Sequence, residues 1–302
     1  MDAHPEETLA LSPRDLIAGI RDLPSLPATY FRVKAILERP DSSLLEVERE
    51  ISSDAAMTGR ILHLANCVLY AVRGRLDSIG EALSILGTDE VRHLLFVTSV
   101  ATAFRGISPA LMDMSKFWVM NAYRALLARG MAREDPRIDA DRAFTAGLLG
   151  DIGHLVMYMG IPRAAERALI RARETGQPLH RVEWDLLGFD YAEVGAELLG
   201  TWNFSPTMEA VVRHHPAPLA AGGECAVEAS ILHVATRFAE AALAGEPPEK
   251  WMRRVDLVIR LETGLLAECL PAVQAEAEQG LARLAQSLFP DLTTADLPAH
   301  VQ

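Results

Sequence analysis

The sequence predicts an all-α protein. Apolar residues recur at helical spacing almost from end to end, and segment after segment opens on its own capping residue. No Asn-Gly or Asp-Gly hairpin turn occurs, and no convincing run alternates apolar with polar residues.

Taken in order, "SPRDLIAGIRDL" begins with Ser12 as cap, Pro13 at the first helical position and Asp15 closing a capping box, with Leu16, Ile20 and Leu23 on one face. "SLPATYFRVKAIL" places Tyr30, Val33 and Leu37 on one face. "SLLEVEREI" pairs Ser43 with Glu46, and "SIGEALSILG" pairs Ser78 with Glu81 and stops at Gly87. Each such cap is worth about 1 kcal/mol. The pattern continues through "SKFWVMNAYRALLARGMAR", "RAFTAGLLGDIGHLVMYM", "PRAAERALIRARETG", "DYAEVGAELLGTW", "SPTMEAVVRHH" and "ASILHVATRFAEAALAG". "AGEPPEKW" (244–251) reads as a linker, followed by the helical patterns "RVDLVIRLETGLLAECL" and "AVQAEAEQGLARLAQSLF". The expected layout is a flexible tail over 1–11, a helical domain over 12–246 and a carboxy-terminal helical extension over 247–302.

Composition narrows the function classes. The 302 residues are 50% hydrophobic and 23% charged, ordinary for a globular chain able to bury a full core. A formal charge of −12 repels phosphate backbones and anionic lipid, so nucleic acid and membrane are not expected partners. Cys67, Cys225 and Cys269 form no zinc spacing, which points to a reducing cytoplasm. The amino terminus lacks the pattern of a signal peptide, and the apolar run 94–104 is far short of the roughly 20 residues of a membrane span. A Gly-rich phosphate loop, a nucleophile elbow and an HExxH are all missing from the sequence.

The residues also carry a resemblance. "LPSLPATYFRVKAILERPDSSLLEVEREISSDAAMTGRILHLANCVLY" (23–70), through Asp54, Thr58, Leu64, Ala65, Asn66 and Tyr70, resembles the opening of the HDOD family, bacterial signalling domains related to the HD phosphohydrolases. "SIGEALSILGTDEVRHLLF", "AGLLGDIGHL" and "LLGFDYAEVGAELLGTWNFSPTMEAVVRHHP" are similar to later blocks, so the likeness spans roughly 22–240. It implies a multi-helix HD-like bundle. A metal-dependent HD enzyme uses a His, a His-Asp pair and a later Asp to hold a cation that activates water. The corresponding positions here are Met120 or Asn121, Gly150 with Asp151, and Thr236, with Tyr191 at an auxiliary His position. One carboxylate out of four ligands does not hold a catalytic metal.

The resemblance therefore implies a non-catalytic cytoplasmic signalling adaptor with no metal or cofactor, working through a protein partner or a small ligand such as a nucleotide. Any ligand is expected in a degenerate cleft near Asn121, Asp151, His154, His214 and Thr236. Asp151, among Leu148, Leu149, Ile152 and Leu155, is expected to persist as a buried carboxylate that hydrogen-bonds a neighbouring helix, and His154, three residues on, lies close enough on the same face to pair with it. His214 and His215 project about 100° apart, so one is expected packed and the other solvated. His233 reads as a satisfied interior histidine. Trp118, Trp184 and Trp202 read as core. Arg163, Arg167 and Arg171 form a stripe that either binds an anionic partner or, with Glu166 and Glu174 between, makes a solvated face. Two rival readings stay open: a residual phosphohydrolase built from Asp151, His154 and His214 or His215, and a structural protein dimerising through its carboxy-terminal helices.

Overall fold

The computed structural model describes residues 11–20, 27–37, 39–66, 75–104, 107, 111–223, 225–246 and 269–288. Among them the regular elements are helices and no strand occurs: α1 (Pro13–Gly19), α2 (Ala28–Leu37), α3 (Leu44–Ser52), α4 (Ala55–Ala65), α5 (Ile79–Leu86), α6 (Thr88–Ala103), α7 (Met114–Arg133), α8 (Ala140–Leu149), α9 (Ile152–Gly160), α10 (Pro162–Thr175), α11 (Leu179–Leu187), α12 (Tyr191–Thr201), α13 (Pro206–His214), α14 (Cys225–Leu243) and α15 (Leu270–Leu288).

The caps form as the sequence dictates. Ser12 and Asp15 close a capping box, Ser43 and Ser78 accept from Glu46 N and Glu81 N, and Gly87 ends α5 with φ at 87°, in the region glycine favours. Of the expected extension over 247–302, residues 247–268, with most of the first of its two helical patterns, and 289–302 lie outside the described residues, as does 1–10 of the expected tail.

Helix α7 is the axis of the fold. Residues from Phe117 to Ala132 are buried on nearly every side, because α8, α14 and α15 pack around it. Gly147 brings α8 onto α7: a Cβ there would lie 2.5 Å from the Ala125 Cα. α9 meets α12 as closely, since a Cβ on Gly153 would lie 1.9 Å from the Tyr191 carbonyl oxygen. Helices α2 to α6 form an amino-terminal layer joined to this body by an aromatic seam. Phe96 lies 4.7 Å from Phe204 and 6.3 Å from Trp202 between ring centroids.

α15 packs along α7 and reaches α4 and α6, burying Leu270, Val273, Ala277, Leu281 and Leu284 in the common core. Arg133 pairs with Glu276 at 2.6 Å across this contact. The apolar face of α15 is thus consumed inside the chain. Trp118 and Trp202 are core, but Trp184 is not: it stands 53% exposed on the outer face of α11, whose inner face is Val182, Glu183 and Leu187.

Candidate functional site

The site forms where α7, α8, α9, α11, α12, α13 and α14 converge. "RAFTAGLLGDIGHLVMYM", read as one helical run, is two helices: α8 ends at Leu149, and Gly150–Asp151 turn the chain before α9. The turn aims the Asp151 carboxylate inward, where it meets a cation that the sequence reading did not single out. Arg124, in the middle of α7, is fully buried, and its Nη1 lies 2.7 Å from Asp151 Oδ1.

The rest of the guanidinium is also engaged. Its Nε donates to the Gly147 carbonyl at 2.7 Å, and its Nη2 donates to the Asn121 side-chain oxygen. Asn121 in turn donates to the Phe117 carbonyl at 2.7 Å. Gly150 makes the room, since a Cβ at that position would lie 3.0 Å from Arg124 Nη2. The side chain that would complete a His-Asp pair and the guanidinium compete for one space.

A neighbouring helix, α7, thus holds Asp151 as expected, whereas the expected pairing with His154 is corrected. Asp151 belongs to Arg124, and His154 turns to Glu183 of α11, 3.3 Å from Nε2 to Oε1. Buried Glu183 also accepts from the Tyr191 backbone N–H at 3.1 Å, which ties α11 to α12. His154 stacks on the Tyr191 ring at a centroid distance of 4.0 Å. Its pKa is raised: burial works against the imidazolium, and the Glu183 carboxylate reverses this, with help from Asp151.

Of the two sequential histidines His215 is the packed one, and His214, placed in the cleft by the sequence reading, does not line it. His215 Nδ1 lies 2.6 Å from the Val212 carbonyl and must carry the proton there, so its Nε2 accepts from the Tyr191 hydroxyl at 3.1 Å. Burial, followed by the Arg124 charge, pushes the His215 pKa down to about 3, so this imidazole is neutral. The Asp151 carboxyl is pulled up by burial, but Arg124, then His154, more than reverse this and hold it below its ordinary value. The centre therefore sets Arg124 against Asp151 and His154 against Glu183.

A cleft of about 900 Å³ opens onto this centre. Asp151, His154, Tyr191 and His215 lie at its base, with His180, Arg181, His233, Thr236, Arg237 and Glu240 around it. Thr236 lines it as expected, with its hydroxyl donating to the Leu232 carbonyl at 2.8 Å. Asn121 does not line it, because it is fully buried behind Arg124. His233 is satisfied as expected, through Nδ1 at 2.8 Å from the His215 carbonyl. Arg163, Arg167 and Arg171 lie exposed on α10 and outside the cleft.

The donors do not fit a divalent metal. The Asp151 carboxylate faces a permanent cation, Gly150 offers no ligand atom, the Asn121 side-chain oxygen already accepts from Arg124 Nη2, and the His215 Nε2 lone pair already accepts from the Tyr191 hydroxyl. Among the described residues no three His, Cys, Asp or Glu side chains converge as a metal site. That convergence was the requirement of the rival phosphohydrolase reading. The missed residue left a signal: an Arg inside the apolar run "NAYRALLA" must find a buried partner, and glycines at 147 and 150 on the neighbouring helix mark the close approach.

The helical body packed around α7, with its carboxylate at the α8–α9 turn, defines an HD-like domain. The chain belongs to the HDOD family, whose HDOD domain matches residues 23–218. A candidate phosphohydrolase from Shewanella amazonensis SB2B superposes with a TM-score of 0.74 at 25% identity, over 90% of this chain and 97% of that one. An HDOD domain protein of unknown function from Geobacter sulfurreducens gives a TM-score of 0.67 at 22% identity, over 88% and 96%. A candidate signal transduction protein from Marinobacter aquaeolei VT8 gives 0.67 at 23% identity, over 92% of this chain and 64% of that one. Comparison with curated proteins returns no match. No helix among the described residues is long and apolar enough to cross a membrane.

Proposed function

We propose that this chain is a non-catalytic regulatory domain that acts by binding, with the HD centre converted from a metal site into a fixed ion pair. The observation that carries this reading is the Arg124 guanidinium 2.7 Å from Asp151, with Gly150 cleared to admit it. A metal-dependent hydrolase needs a cation with an open coordination position, where bound water can lose its proton near neutrality. A guanidinium has no such position and remains protonated. It supplies the charge that Asp151 needs and none of the reactivity.

What remains useful is the cleft and the surface around it. The cleft volume falls in the range of small-molecule sites, and His215 and His233 in its lining are held by backbone carbonyls. A signalling role is supported by the likeness to the Marinobacter aquaeolei VT8 structure, which is described as a candidate signal transduction protein. The test is hydrolysis of phosphomonoester and phosphodiester substrates with Mn²⁺, Mg²⁺, Fe²⁺ or Zn²⁺ supplied. The reading expects no turnover that Asp151→Ala removes. Metal-dependent turnover abolished by that substitution sinks it.

A further inference from the structure

Far from the cleft, α3 and α5 pack side by side and leave a groove of about 380 Å³. Leu44 and Leu45 on α3 and Ile85 on α5 line it, and they are 51%, 61% and 58% exposed. The core does not require them. α3 turns Val47 and Ile51 inward, while Leu44 and Leu45 occupy its first turn after the Ser43 cap. α5 turns Ile79, Ala82 and Leu83 inward, and Ile85 falls on the other side. Single exposed apolar residues are common on protein surfaces, but three gathered in one concave place mark an interaction site.

The charges say what kind of partner fits. Glu48 and Glu81 line the groove, and no Lys or Arg does. On α2 and in the loop after it, Arg32 and Arg39 are held by Glu50 and Glu46 at 2.5 Å each. Gly80 lets Glu48 lie against the first turn of α5, since a Cβ there would be 2.8 Å from its Oε1. Across a twofold interface two such acidic edges would face each other, in a chain whose formal charge is −12. A second copy is therefore a poor occupant.

We propose that this groove docks an amphipathic helix of a different protein, with an apolar stripe seated on Leu44, Leu45 and Ile85 and Lys or Arg residues flanking it to face Glu48 and Glu81. The site is separate from the cleft and stands whether or not the cleft is inert.

The probe is a fluorescein-labelled synthetic helix with leucines at i, i+3, i+4 and i+7 and lysines elsewhere, matched by a second peptide carrying glutamates for the lysines. Anisotropy is expected to show saturable binding of the lysine peptide to the full chain and none of the glutamate peptide. Leu45→Ser with Ile85→Ser is expected to weaken binding about tenfold or more, and Glu48→Gln to weaken it less while flattening its salt dependence. Hydrogen-exchange protection on binding should fall on 44–52 and 79–86. Circular dichroism checks the fold, and Ile85→Ser alone carries the comparison should the double variant unfold. Any one of these results overturns the proposal: no binding, equal binding by the apolar variants, preference for the glutamate peptide, or protection elsewhere. Sedimentation showing a dimer that the double variant dissolves also overturns it, because a second copy would then be the occupant.

Discussion

Replacing Arg124 with methionine tests the centre most sharply. The substitution keeps most of the side-chain volume and removes the charge, the bond to the Gly147 carbonyl and the bond to Asn121. Asp151 is then left with only 18% of its side chain exposed and no permanent counter-charge. Removing one partner of a buried pair costs about 3–5 kcal/mol, and the residual solvation of Asp151 favours the lower end, about 3 kcal/mol. That is roughly a hundredfold loss in the folding equilibrium.

The pH dependence fixes the cause. With Arg124 present the folded Asp151 pKa is below its unfolded value, so its stabilisation holds above about pH 4 and is lost as pH falls through the folded value. Without Arg124, burial raises the folded pKa above the unfolded one. The variant then carries a penalty at neutral pH that protonation relieves. Urea denaturation should show the gap between parent and Arg124→Met narrowing from pH 7 to about pH 4.5, and adding Asp151→Asn should recover part of the loss. A cost under about 1 kcal/mol, a gap independent of pH, or strictly additive single costs would refute the reasoning.

The other predictions rest on the same geometry. Gly150→His places a side chain against the guanidinium and should lower stability by about 2 kcal/mol or more without conferring metal binding, as a thermal melt with and without Mn²⁺ will show. Gly153→Ala cannot be accommodated at 1.9 Å from the Tyr191 carbonyl oxygen, and should cost more than about 3 kcal/mol in urea denaturation. His215, with its folded pKa of about 3 below the unfolded value, favours folding above about pH 6.5 and loses that contribution as pH falls. Its imidazole signals should stay fixed from pH 8 to 5 in NMR, whereas those of His154, whose pKa is raised, should titrate at higher pH than a free histidine. Truncation after residue 268 removes the buried face of α15 from α7, so it should lower the melting temperature sharply and not simply change the oligomeric state.

Much of the fold was legible because it is written locally. Ser12, Ser43 and Ser78 announce their helices, and Gly87 ends one, through bonds that span three or four residues. The centre was half legible. Asp151 stood out against its apolar neighbours, and the missing ligands at Gly150 and Thr236 could be read by position. Its partner could not, because Arg124 lies 27 positions before Asp151 and meets it only when Gly147 lets α8 press onto α7. The pairing expected from spacing alone, Asp151 with His154, failed for a physical reason. The Gly150–Asp151 turn breaks the helix, and an imidazole then finds the better acceptor, Glu183, on α11. Trp184 shows the same limit, since helical spacing gives a face but not which face turns inward.

The most direct test of the central claim is the metal content, by elemental mass spectrometry, of protein purified without chelators or a histidine tag, beside its Asp151→Ala variant. An Arg124 cation already seated on Asp151 predicts far less than one equivalent of iron, manganese and zinc combined, and no change on substitution. Close to one bound ion per chain, lost with Asp151→Ala, would mean that the carboxylate holds a metal and that Arg124 is not its counter-charge.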